Sequence, residues 1–211
     1  MGSKARMISP ICDSIIKNES IQTVVDLFAG TGAVGYALKS YKNVISNDIE
    51  YYAYIVNQAV LNGCDFSEQD EKNFWAAVDE RYGILRNRVS NVLLEEKTFF
   101  VDDVNYKQYQ IFCERTPSVF NPKSTDPRMK ELVELVSNIT PGEKPKLKFP
   151  CLFLTYFANA YFGVAQCCQI DALRSVIEQT QDMHVKNVLL TALMSTMSSV
   201  ASTTTHFAQF L

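Results

Sequence analysis

The chain has 211 residues, enough for one full domain or for a domain with a subdomain. Hydrophobic residues make up 47% and charged residues 20%, which excludes a disordered chain. A net charge of −3 argues against a strong sequence-independent grip on nucleic acid, which needs many neutralised phosphates, yet it leaves room for a local basic groove.

The six cysteines, at positions 12, 64, 113, 151, 167 and 168, form no Cys-x-x-Cys pair. The histidines are His184 and His206, and neither stands at zinc-ligand spacing, so no metal is expected. Reduced, mostly buried thiols in a cytoplasmic protein are expected instead. The longest apolar stretch, Val188 to Ala201, is broken by Thr and Ser and is too short for a bilayer. It reads as a core helix, with no membrane partner.

The first clear element is Ile21 to Phe28, an apolar run ending in Ala-Gly-Thr-Gly, the pattern of a buried strand entering a tight turn. Ala33 to Ser40 reads as a helix and Asn43 to Asp48 as a second strand. Ile49 to Leu61 reads as a helix with Ile49, Ala53, Val56 and Val60 on one face and Gly63 as its stop. This order is a βαβ unit and implies a parallel sheet. Strand signals nearly vanish after Cys64, and residues 67–113 and 151–200 read as mainly helical. Six of the seven prolines lie between Pro117 and Pro150, so 114–150 reads as an irregular, exposed excursion with a short helix near Met129–Val136.

Gly30, Gly32 and Gly35 satisfy Gly-x-Gly-x-x-Gly between the strand and the helix, and Asp48 closes the next strand. The glycines allow a tight turn and a close approach to a ligand, while an acid at that position accepts from both hydroxyls of a ribose. Dinucleotides and S-adenosylmethionine both fit that spacing. Asp26, four positions before Gly30, separates them, because a carboxylate there is costly to bury without a cation. The ammonium of S-adenosylmethionine supplies one, whereas a pyrophosphate is repelled. A nicotinamide-dependent oxidoreductase is therefore the weaker reading.

Asp26-Leu-Phe28-Ala-Gly30-Thr-Gly32 resembles the Asp-x-Phe-x-Gly-x-Gly motif of DNA methyltransferases. The opening Met1-Gly2-Ser3-Lys4-Ala5-Arg6-Met7-Ile8 is similar to the Gly-Ser-Lys-Arg segment of Dam-like adenine-specific (N6) DNA methyltransferases. Asn159-Ala-Tyr-Phe-Gly163, Gln166 and Ile170-Asp171-Ala-Leu-Arg174 resemble that family's helical, DNA-recognising portion, and His206-Phe-Ala-Gln209 the return toward its sheet. The resemblance implies an α/β fold, a partial Rossmann-like class I methyltransferase core with a large helical insertion. It assigns 1–63 to S-adenosylmethionine binding, 64–205 to DNA recognition and 206–211 to the return. It also implies Lys4, Asp26, Phe28, Gly30, Gly32 and Asp48 as cofactor-binding residues and double-stranded DNA as partner.

The family's next strand ends in Asp-Pro-Pro-Tyr, whose Asp accepts from the adenine amino group and whose Tyr stacks on the flipped base. No such tetrapeptide occurs among these residues, and Asp126-Pro127 is followed by Arg128. The expectation is thus a chain without catalytic residues of its own, completed by a C-terminal segment or a complementary chain. The alternative is a non-catalytic binding module or one half of a split enzyme. With the neighbouring strand missing, Thr23–Phe28 is expected to expose an apolar edge, making the isolated chain poorly soluble or self-associating.

Overall fold

The computed structural model describes residues 5–101, 105–139 and 151–201. It is mainly helical with one small parallel sheet, and it divides into two compact units. The first comprises residues 1–67 and 180–194, the second 68–179 and 195–211. Among the described residues no helix is long and apolar enough to cross a membrane, and no group of three His, Cys, Asp or Glu side chains is placed to hold a metal.

In the first unit, β1 (Thr23–Asp26) and β2 (Asn43–Ser46) pair in parallel, Val24 opposite Val44 and Asp26 opposite Ser46. The β-branched residues at their centres favour the extended chain. Between them runs α2 (Ala33–Leu38), and α3 (Tyr51–Asn62) follows. Because side chains alternate across a strand, Val24 and Val44 face one way. They join Val34, Leu38 and Cys12 in a small core. Val25 and Ile45 face the other way and are more than half exposed. Among the described residues, β1 pairs with β2 alone.

The core of this unit is closed by a helix that the sequence reading did not anticipate, α1 (Ala5–Ile16). Pro10 lies inside it and removes one backbone donor, which disguises the helix. Ile8, Ile11, Cys12 and Ile15 nevertheless recur at helical spacing and pack on α2 and the strands. The expected face of α3 also needs correcting. Ile49 precedes the helix and is 96% exposed, and the buried residues are Ala53, Ile55, Asn57 and Ala59. The helix begins late because Asp48 Oδ1 accepts from Glu50 N at 3.0 Å, a turn that leaves Ile49 outside.

The second unit is built on α4 (Glu68–Arg88) packed along α9 (Val164–Gln179), with α5 (Ser90–Thr98), α6 (Tyr106–Glu114), α7 (Lys130–Ser137) and α8 (Leu152–Tyr156) around them. A final helix, α10 (Met183–Val200), contributes Met197 to this core. Leu85, Phe112, Met129, Leu132, Leu154 and Val164 form its centre.

The segment expected as an exposed excursion is partly packed instead. Val119, Asp126 and Met129 are buried. Val119 N donates to Thr155 O at 3.0 Å. Asp126 is buried because Arg128 stands on it, Nη2 to Oδ2 at 2.5 Å, while Nη1 reaches Glu95 Oε1 at 2.6 Å. The Arg128 guanidinium holds the Asp126 carboxyl down at about 2. Residues 140–150 lie outside the described residues.

Two helix N-termini in this unit are capped by carboxylates from other helices. Glu96 accepts from Val164 N at 2.6 Å and Ala165 N at 2.9 Å, and Asp171 accepts from Phe153 N at 3.0 Å and Leu154 N at 2.9 Å. Each satisfies donors that the helix itself leaves unpaired and places negative charge at the positive end of the dipole. Burial nevertheless dominates and raises both carboxyls, Asp171 from 3.8 to about 7. A carboxyl raised in the folded state binds protons that the unfolded chain releases. Its contribution to stability is therefore complete below pH 3.8 and lost as pH rises through about 7. In urea melts between pH 4 and 7, Asp171→Asn is expected to flatten the fall in stability with pH, leaving a shallower slope from Glu96. An unchanged slope would refute the assignment.

Candidate functional site

β1 delivers Asp26 to the start of a loop in which Gly30 has φ +53° and Gly32 φ +74°. Both are left-handed, a conformation that side chains disfavour. At Gly32 there is a second reason for glycine, since a Cβ would stand 2.7 Å from Asn57 Oδ1. Gly35 lets α2 approach β2, because a Cβ there would meet Ser46 Oγ at 3.1 Å and Val44 Cγ1 at 3.2 Å.

The end of β2 holds the loop in place. Asn47 N donates to Asp26 O at 2.8 Å, Asn47 Nδ2 donates to Leu27 O at 3.1 Å, and Ala29 N donates to Asn47 O at 3.0 Å. Gly30 N donates to Asp48 Oδ2 at 2.8 Å. The acid and the first glycine, eighteen positions apart, are thus in direct contact. Asn57, on α3, donates to Gly30 O at 2.9 Å. No motif pointed to Asn57, although its place four residues after Ala53 on the buried side of the helix was a readable signal.

Asp26 carries an unusual feature. Its Oδ1 accepts from Phe28 N at 3.3 Å, whereas its Oδ2 is sealed from solvent and accepts no hydrogen bond from the described residues. A buried carboxylate oxygen without a donor is costly, and a ligand, ion or water is one way to satisfy it. A cationic amine fits it. Phe28 is 80% exposed, next in the same loop. The structure therefore places Asp26, Phe28, Gly30 and Gly32 in one loop and sets Asp48, from the end of β2, against it. Lys4 lies outside the described residues, as does His206-Phe-Ala-Gln209.

The residues of the third sequence match are engaged within the second unit. Asn159, at φ +54°, donates from Nδ2 to Thr116 Oγ1 at 2.8 Å. Gln166 Oε1 accepts from Gly163 N at 2.9 Å, Asp171 caps α8, and Arg174 pairs with Glu178. A Cβ on Gly163 would fall 2.8 Å from Glu96 Oε1, so glycine is required for that cap. Beside them lies a cleft of about 920 Å³ lined by Arg86, Asn87, Lys97, Phe100, Tyr109 and Gln166 among others.

A family model for D12 class N6 adenine-specific DNA methyltransferases matches residues 1–211. The chain belongs to this family. Among D12-class and related sequences, it is similar to Type II methyltransferase M.NlaIII of Neisseria lactamica, 52% identical over 40 residues. That match covers 18% of this chain and 12% of the relative. It is also similar to Modification methylase LlaI of Lactococcus lactis subsp. lactis, 40% identical over 63 residues, covering 29% of this chain and 10% of that protein. The matches thus span about a tenth of these relatives' length. No solved structure matches.

Proposed function

We propose that this D12-class chain is the cofactor-binding and DNA-recognition part of an enzyme that methylates N6 of adenine in double-stranded DNA, with S-adenosylmethionine as donor. The observation that carries the reading is the orphaned Oδ2 of Asp26, set in a glycine loop whose first N–H is held by Asp48. When bound, S-adenosylmethionine supplies an electrophilic methyl group on a cationic sulfur. The residues of this chain hold and orient it. Asp26 neutralises the amino group, and the family resemblance adds Lys4 to the cofactor-binding residues. Gly30 and Gly32 let the backbone approach, and Phe28 offers an apolar surface. Asp48 accepts from the ribose hydroxyls, since a carboxylate takes more than two donors.

In this reading β1 and β2 are two strands of a Rossmann-like sheet, 1–63 binds the cofactor and 64–205 recognises DNA. The 920 Å³ cleft supports the second assignment, because Arg86 and Lys97 suit phosphates and Phe100 suits a base face. A second reading beside it is a non-catalytic S-adenosylmethionine-binding module or one half of a split enzyme.

Calorimetric titration of the chain with S-adenosylmethionine tests the cofactor. Asp48→Ala is expected to weaken binding by about 1.5–3 kcal/mol, the range for hydrogen bonds to a charged group. Equal affinity in the wild type and the variant, both folded by circular dichroism, would remove Asp48 from the site.

A further inference from the structure

Asp48 holds the glycine loop from one side, and Asn57 holds it from the other. Asn57 is 6% exposed. Its Nδ2 bridges two carbonyls, Ala53 O one helical turn earlier at 2.8 Å and Gly30 O in the loop at 2.9 Å. Its Oδ1 is buried and accepts nothing from the described residues. That orphan acceptor faces the space a Cβ of Gly32 would fill. An unmade hydrogen bond of this kind is costly, so the amide carries a penalty that an apolar side chain would avoid. What it secures is Gly30.

Asp48 fixes the peptide plane before the Gly30 Cα through its N–H, and Asn57 fixes the plane after it through its carbonyl. Together they set both backbone torsions of the residue, including its φ of +53°. We propose that Asn57 is a positioning residue for cofactor binding, the second of two side chains that lock Gly30 in its left-handed conformation before the ligand arrives. A loop already in its bound conformation loses less entropy on binding. The inference rests on the cofactor reading above, and it concerns a residue that need not touch the ligand. Leucine at this position would leave the Gly30 carbonyl without its donor. Aspartate would set a carboxylate oxygen against two carbonyls.

The test uses the full chain with Asn57→Ala and Asn57→Asp, read by amide hydrogen exchange at Gly30 without ligand and by calorimetric titration with S-adenosylmethionine. In both variants Gly30 exchange is expected to accelerate, and affinity to fall, each by about tenfold, corresponding to one lost buried hydrogen bond. Asn57→Asp should regain affinity as pH falls, because the protonated acid donates to Gly30 O again. Asn57→Ala should not, and this difference separates positioning from mere support of the fold. Should the alanine variant fail to fold, the near-isosteric aspartate variant and its pH profile carry the comparison. Gly30 exchange unchanged, or affinity within twofold of wild type despite faster exchange, would overturn the proposal. A wild-type chain that binds no S-adenosylmethionine would overturn the cofactor reading instead, and the exchange measurement would still decide whether Asn57 locks Gly30.

Discussion

Given adenine-containing DNA and a radiolabelled methyl donor, the 211-residue chain is expected to transfer no label. The lone pair of an exocyclic adenine amine is delocalised into the ring, so attack on a methyl group needs acceptors that hold the N–H bonds and aim the nitrogen. The family resemblance places that role on Asp-Pro-Pro-Tyr, which these residues do not include. Asp126, the acid of the lone Asp-Pro, does not substitute for it. It is buried, bonded to Arg128 Nη2 and accepting from Arg128 N at 3.1 Å. The expected effect is therefore loss of the whole rate enhancement. Adding a polypeptide with the missing tetrapeptide in its family context should restore transfer if this chain is part of a divided enzyme, and should not if it is a binding module. N6-methyladenine formed by the chain alone would show that another residue set accepts the amine.

Phe112→Ala is expected to be the most damaging single change to stability. Phe112 is fully buried, packs against Phe99 at 5.2 Å between ring centroids, and has the Arg128 guanidinium 5.9 Å above its ring. Truncating such a ring removes its burial and leaves a cavity, a loss of about 3–5 kcal/mol. That is a large share of the total stability of a typical domain. Phe120, 77% exposed and edge-on to Tyr156, provides the contrast. Its alanine variant should stay within about 0.5 kcal/mol of wild type. Urea denaturation of both variants measures the difference, and similar midpoints would show that the core is not centred on Phe112.

The parts of the fold legible in the sequence were those with local causes. Val24-Val25, with the glycines that follow, and Val44-Ile45 marked the two strands, and Gly63 marked the end of α3. The loop from Asp26 to Gly32 was legible for the same reason, because its conformation depends on adjacent glycines. Other features depend on residues far apart in the chain. Spacing alone does not show that Glu96 meets Val164, that Arg128 permits Asp126 to be buried, or that Asn57 reaches Gly30. The helix α1 was hidden by Pro10, although its isoleucines carried the signal. Ile49 was misplaced because the turn built by Asp48 delays the helix.

The Glu96 cap joins positions 68 residues apart, and this has a consequence for the order of events during synthesis. α4 and α5 emerge from the ribosome long before α9, and until Val164 follows, Glu96 is an ordinary solvated carboxylate on an unfinished core. Closing a loop of that length is entropically slow compared with local pairing, and the chain gains the buried cap only after the closure has been made. The strands of the other unit, twenty positions apart in register, face no such wait. The nascent chain should thus acquire its glycine loop early and its helical core late. Until then the apolar residues of α4 and α5 stay open to contact with other chains.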